Sequence, residues 1–238
     1  METNPELELA FEYISQTKRH VFLTGKAGTG KTTFLHRVRQ EIPKRMAVVA
    51  PTGVAAINAK GVTIHSLFQL PFGMMTPDDM RLEIGKRRFS RKKIDLIKGL
   101  DLLVIDEISM VRADVLDAVD AVLKRFRQAS TPFGGLQLLM IGDLHQLPPV
   151  VRPDEWYQMQ SHYPTPYFFG SIALRQAAPT VIQLTHIYRQ SDSQFIELLN
   201  KVRNNNIDPA SLETLNQRYQ PDFSPAEDEG YITLTSHN

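Results

Sequence analysis

The densest chemistry in this sequence of 238 residues lies in Gly25-Lys26-Ala27-Gly28-Thr29-Gly30-Lys31-Thr32. The segment meets every fixed position of G-x-x-x-x-G-K-[ST], follows the apolar run His20–Thr24 and opens a helical stretch from Thr32 to Gln40. Glycine at 25, 28 and 30 lets the backbone turn sharply and bring its N–H groups close to an anion. The helix that follows adds its positive end. Lys31 then reaches the outer phosphates of a nucleoside triphosphate, and the Thr32 hydroxyl ligates Mg2+. Gly25, Ala27, Gly28, Thr29, Gly30, Lys31, Thr32 and Thr33 are therefore the expected phosphate-binding residues, with ATP and Mg2+ as the expected cofactors.

A second constellation completes that chemistry. Leu102-Leu103-Val104-Ile105-Asp106-Glu107 is an apolar strand ending in two carboxylates. At such a strand tip Asp106 would hold Mg2+ through water, and Glu107 would orient and deprotonate the attacking water. An Asp-Glu pair capping the next helix, helped by Ser109, is the plainer reading. A third strand, Leu139–Ile141, runs into Gly142-Asp143-Leu144-His145-Gln146-Leu147-Pro148-Pro149. Gln146 is an uncharged group able to touch a γ-phosphate and report its loss, and the two prolines make a stiff turn leading away.

These side chains need a scaffold that brings strand ends together. Apolar runs recur at Val21–Leu23, Met46–Ala50, Leu102–Ile105, Leu136–Ile141 and Val181–Leu184. They are continuous and do not alternate, which marks strands covered on both faces. Between two of them Val115, Val119, Val122 and Phe126 recur at helical spacing, with Asp114 and Asp117 near the start and Lys124, Arg125 and Arg127 near the end. The expected fold is α/β: a mostly parallel, doubly wound sheet flanked by helices. Pro71–Gly99 breaks the pattern and carries Lys86-Arg87-Arg88-Phe89-Ser90-Arg91-Lys92-Lys93, six basic residues and no acid. It reads as a small insert at 71–98, with 1–70 and 99–238 forming the main domain. Arg152–Gly170, rich in aromatics and proline, reads as loop-rich, Asn204–Asn206 as a turn, and Glu227–Ser236 as the start of a strand.

Bulk properties narrow the setting. With 42% hydrophobic residues the chain can bury a sizeable core. It contains no cysteine, which excludes disulfides and thiolate metal sites. No run is long enough to span a membrane, and the polar N-terminus is unlike a signal peptide, so a cytoplasmic protein of bacterial type is expected. The formal net charge of +1 confines any nucleic-acid footprint to a local patch.

Taken in order, Gly25–Thr33, Ala50–Ala56, Gly61–Phe68, Val104–Met110, Ile141–Val150 and Leu184–Gln190 resemble the successive motifs of the Pif-type DNA helicases of superfamily one, relatives of RecD. Asp114–Gln137, ending in Pro-Phe-Gly-Gly-Leu-Gln, resembles the segment between the fourth and fifth of these. The resemblance covers nearly the whole chain. It implies a RecA-like phosphate-loop domain, 5′-to-3′ translocation on single-stranded DNA and unwinding of duplex junctions, in repair, recombination or telomere maintenance. It implies that Arg189 contacts the γ-phosphate, where a surface ion pair is the plainer reading. It implies a DNA track through Thr52, Gly53, Thr63, His65, Ser66, Phe68 and Pro148. Small hydroxyls suit phosphates, and Phe68 could stack on a base, although a ring beside Ile64 and Leu67 also suits a core. Arg87 and Arg88 become candidates for a strand-separating wedge, while charge alone fits a solvated face equally well.

Two departures from the family pattern carry expectations of their own. The position where relatives place a glutamine for adenine falls near Glu8, whose carboxylate accepts a hydrogen bond but cannot donate one when ionised; Gln16 is too close to the loop to replace it. By the resemblance, Thr233–Asn238 is expected to open the family's second RecA-like domain, whose arginine and second grip on DNA would lie beyond this sequence. The expectation is thus a monomeric N-terminal motor half with slow hydrolysis and no processive unwinding. A nucleotide-gated binding module without motor activity is the rival reading. A AAA+ loader, needing a neighbour's arginine, is another.

Overall fold

The computed structural model describes residues 4–188, 193–226 and 229–233. The chain divides into two compact units, Met1–Gln190 and Ser191–Asn238, at a boundary that no composition shift marks in the sequence.

The first unit opens with α1 (Pro5–Gln16), capped by the Asn4 side chain. Then follow β1 (Val21–Gly25), α2 (Lys31–Glu41), β2 (Met46–Ala50), α3 (Gly53–Asn58), β3 (Val62–Thr63) and α4 (Ile64–Phe68). The middle holds α5 (Pro77–Lys86), α6 (Arg91–Gly99), β4 (Leu102–Ile105), α7 (Ala113–Arg127) and β5 (Gln137–Gly142). It closes with α8 (Pro153–Met159), α9 (Ile172–Ala177) and β6 (Thr180–Leu184). The second unit contains α10 (Ser193–Arg203) and α11 (Pro209–Asn216).

The six strands form one parallel sheet in the order β3-β2-β4-β5-β1-β6. Side-chain alternation along buried strands explains its two covered faces. Leu102 and Val104, with Leu139 and Ile141, join the core under α1 and α2. Leu103 and Ile105, with Leu138 and Met140, join the core under α4 to α7 and α9. The expected doubly wound α/β fold is present. Its strand order has a chemical consequence: the carboxyl ends of β4, β5 and β1 stand side by side, where such sheets bind ligands.

Several local expectations change. Pro71–Gly99 contains two capped helices. Thr76 and Asp79 form a reciprocal capping box at α5, and Ser90 caps α6. Met75, Met80, Ile84 and Ile97 from this stretch belong to the sheet's main core. Arg152–Gly170 is not all loop, because Pro153 starts α8 and buries Met159 against Ala113. Asn204 and Asn205 do form a turn, with Asn205 in the left-handed region. Tyr231–Thr233 forms no strand; the Tyr231 ring instead meets Phe223 at 5.0 Å. Residues 227–228 and 234–236 of that run lie outside the described residues.

Asp114 and Asp117 stand in the first turns of α7, as the helix pattern implies, and do more than face its dipole. Both are buried, and each is satisfied by directed partners. Asp114 accepts from the Arg112 guanidinium and from the Met75 amide. Asp117 accepts from the Ser171 hydroxyl and from the amides of Ile172 and Ala173 at the start of α9.

Candidate nucleotide site and nucleic-acid face

The phosphate loop links β1 to α2. Gly28 and Gly30 sit at φ 81° and 89°, conformations that a side chain would strain. At Gly25 a Cβ would lie 2.8 Å from the Thr29 hydroxyl and 2.9 Å from the Leu184 Cβ, so close packing of the loop on β6 also demands glycine. Gly30 caps α2 without any side-chain hydrogen bond, which leaves the first amides of an 11-residue helix facing the loop. The Lys31 ammonium bonds the carbonyls of Gly25 at 2.6 Å and Lys26 at 2.9 Å. Ala27, Thr32 and Thr33 are exposed. Thr29 differs: its side chain is buried, and the hydroxyl donates to the Lys26 carbonyl at 2.9 Å, bracing the loop from inside.

Across from the loop, the Glu107 amide donates to Asp106 Oδ1 at 3.0 Å. Glu107 itself adopts φ 50°, ψ 44°, a left-handed conformation that costs a non-glycine residue about 1 kcal/mol and clusters at functional positions. Burial raises the Asp106 pKa, against the pull of the Glu107 amide and Lys31. Glu107 is raised by burial and by the Asp106 charge, opposed by Lys31 and reinforced by Asp143. Asp143 is a buried residue to which the sequence pattern assigns no role. It accepts from the His145 amide at 3.1 Å and from Gln146 Nε2 at 3.5 Å, holding the turn after β5.

These residues converge. Thr32, Asp106, Glu107, Gln146 and Leu147 line one cleft of about 330 Å3 together with Thr52, Val54 and Ala55 of the β2–α3 corner. Thr52, placed by resemblance on the DNA track, thus also borders the nucleotide cleft; its side chain caps α3 by accepting from the Ala55 amide. Among the described residues no group of three or more His, Asp or Glu could hold a metal unaided. Thr32 with Asp106 suits Mg2+, which takes one or two protein ligands and completes its shell with phosphate and water.

Two elements flank the loop that sequence reasoning missed. The Tyr188 amide donates to the Gly28 carbonyl at 2.9 Å, and its ring stands beside Gly30 together with Leu7. The signal available for Tyr188 was only its place next to Arg189. Arg189 itself lies outside the described residues. Glu8 is committed elsewhere: the Arg37 guanidinium grips both its oxygens, one at 3.0 Å, and holds its pKa below the usual value. Arg37 also bonds Glu41 and lies 4.2 Å over the Phe11 ring, so Glu8 ties α1 to α2.

Of the other candidates, Thr63, His65, Ser66 and Phe68 fall on β3 and α4, Gly53 starts α3, Arg87 and Arg88 lie between α5 and α6, and Pro148 follows β5. The Thr63 side chain caps α4 by accepting from the Ser66 amide. Ser66, Gly53, Arg88 and Pro148 are exposed. Arg87 is half-buried and donates to the Gln69 carbonyl at 2.6 Å. Phe68 is corrected: it is 0% exposed, deep in the core, and a ring without a free face cannot stack on a base.

A parallel sheet with a glycine-framed phosphate loop and carboxylates on the neighbouring strand tips defines a RecA-like P-loop nucleotide-binding domain. The family model for PIF1-like helicases matches residues 4–212, and the chain belongs to that family. It is 34% identical over 224 residues to the ATP-dependent DNA helicase PIF1 of Saccharomyces cerevisiae, covering 90% of this chain and 25% of that protein. The human ATP-dependent DNA helicase PIF1 is 38% identical over 184 residues, covering 77% of this chain and 27% of that protein. A solved Pif1 helicase from Bacteroides, in complex with ADP-AlF3 and single-stranded DNA, superimposes with a TM-score of 0.91 at 41% identity. That match covers all of this chain and 54% of the other. No helix among the described residues is long and apolar enough to cross a membrane.

Proposed function

We propose that this chain is the ATP-binding motor half of a 5′-to-3′ DNA helicase, acting as a monomer on single-stranded DNA and duplex junctions. The observation that carries the reading is the cleft that joins Thr32, at the end of the phosphate loop, to the β4 carboxylates, Gln146 and the β2–α3 corner. A site of that composition can bind ATP and pass its state to α3. Lys31 neutralises the outer phosphates, and Thr32 with Asp106 holds Mg2+, which supplies charge neutralisation there. Glu107 takes the proton of the attacking water, Gln146 senses the γ-phosphate, and Arg189 contacts it. Thr52, Gly53, Thr63, His65, Ser66, Arg88 and Pro148 border the strand. The solved Bacteroides relative, of which the chain spans 54%, bound ADP-AlF3 and single-stranded DNA together, which supports both ligands here. That share also supports a division of labour in which residues 1–70 and 99–238 form the first RecA-like half, 71–98 an insert, and a second half completes hydrolysis.

Binding of a fluorescent ATP analogue and of labelled oligothymidylate, with phosphate release, tests the reading. The chain binds both ligands and hydrolyses slowly. Glu107→Gln keeps nucleotide binding and loses hydrolysis by roughly two orders of magnitude or more, the usual size of a general-base contribution. Lys31→Ala loses nucleotide binding. Unchanged hydrolysis in Glu107→Gln would favour a binding module without motor function. Robust strand separation by this chain alone would sink the two-half scheme.

A further inference from the structure

The loop after α4 presents a ring that the site described above does not use. Phe72 is 90% exposed, the most exposed large apolar side chain among those described. One face of its ring lies against His65, with centroids 5.2 Å apart and planes only 12° from parallel. The other face is open. This is not a floppy tip. Gln69 ends α4 in the left-handed region, and the Leu70 amide returns to the His65 carbonyl at 3.1 Å. Leu70 and Met75 are buried on either side of the loop, and the Met75 amide donates to buried Asp114 at 3.1 Å. Gly73, at φ 93° with nothing within 4 Å of a built Cβ, turns the chain between these anchors.

Basic side chains lie along α4, the helix that leads into the loop carrying Phe72. Lys93 Nζ bonds the Ser66 carbonyl at 2.7 Å, and Arg87 bonds that of Gln69, so two cations flank α4. Burial and nearby Arg112 lower the His65 pKa, against Asp114. The α4 segment begins at the carboxyl end of β3, paired in register with the end of β2 that leads to Thr52. An open aromatic face beside basic side chains is how proteins hold a single strand without reading its sequence: bases stack, phosphates find cations.

We propose that Phe72, seated on His65, is a stacking platform for one base of single-stranded DNA, taking the place that Phe68 cannot. The inference rests on the proposed binding of single-stranded DNA by this chain. Lys93 and Arg87 supply the charge for the flanking phosphates, and the anchored loop fixes the ring before the strand arrives.

The test measures fluorescence anisotropy of labelled oligothymidylate against the 238-residue chain and its Phe72→Ala, Phe72→Leu and Phe72→Trp variants. Phe72→Ala weakens binding by roughly five- to hundred-fold, the range for losing one stacked base. The slope of affinity against salt stays the same, because every phosphate keeps its cation. Phe72→Trp binds like the parent, and its added emission is quenched by the oligonucleotide, with Trp156 of the parent as the baseline. If Phe72→Ala fails to fold, Phe72→Leu, which keeps an apolar side chain without a ring, carries the same expectation of weaker binding. Parent-like binding by the folded variants overturns the platform alone and leaves the ring to some other partner. A parent chain that does not bind the oligonucleotide overturns the proposed function and the platform with it.

Discussion

Glu107 shares the site's electrostatic cost with Asp106 and adds a strained backbone to it. It is held in a left-handed conformation, partly buried, and placed next to Asp106 with Asp143 nearby. Its pKa is therefore raised in the folded chain. For a carboxyl group this means that folding stability is fully present below the ordinary pKa of 4.5 and is lost as pH rises through the raised value. Glu107→Gln removes a buried charge that the nucleotide-free fold must otherwise tolerate. The melting temperature of the variant then exceeds that of the parent near neutral pH, and the gap closes as pH falls toward 4.5. Thermal melts across that range check this; a gap that does not depend on pH would remove the electrostatic explanation. The positions of the loop and of the β4 tip were legible because a glycine-rich turn before a helix and an acid pair ending an apolar run each mark a strand end. The partner of Glu8 was not, because sequence position says nothing of the side chain that captures it, while the apolar neighbours of Phe68 already pointed to the core and only the resemblance pulled it toward DNA. Arg37 takes Glu8, and the main core takes Phe68.

At the scale of elements, strands read more clearly than the stretch between α4 and β4. The five strands expected from continuous apolar runs are all present, since such runs have few alternatives in a covered sheet, whereas the strand expected near the end of the sequence does not form at Tyr231–Thr233. The sixth, β3, has two residues and pairs only with β2, too short for any pattern. The helices α5 and α6 did carry start signals in Thr76-Pro77-Asp78-Asp79 and Ser90, but a basic run and two glycines obscured their periodicity. That basic run has its own physics. Arg91, Lys92 and Lys93 occupy the first turn of α6, which has no acidic residue, so three cations oppose the positive end of the helix. Such an arrangement weakens the free fold and suits an anionic partner. Replacing Arg91 and Lys92 together by Gln raises the melting temperature by roughly one to three degrees. The same change weakens oligonucleotide binding and lowers its salt slope by about 0.7 for each phosphate no longer neutralised. A stability gain without any change in DNA binding would assign the run to a solvated face.

For the molecule as a whole, the two large core clusters decide what can stand alone. Every buried residue in them lies between Ala10 and Leu184, as do the described residues of the cleft. The sheet has both faces covered within that span. Ser191–Asn238 is different in kind. Its helices have 11 and 8 residues, and Phe195, Leu199 and Val202 of α10 remain 44–49% exposed at helical spacing. Isolated helices below about 12–15 residues are marginal in water even with favourable sequences, so this segment cannot hold itself by propensity. A chain ending at Gln190 should therefore unfold cooperatively within a few degrees of the 238-residue chain and bind the ATP analogue as tightly. A peptide of residues 191–238 should show little helix by circular dichroism. Loss of the cooperative transition in the shortened chain would mean that the second unit contributes to folding the first, and the assignment of all the core energy to the sheet and its layers would fall.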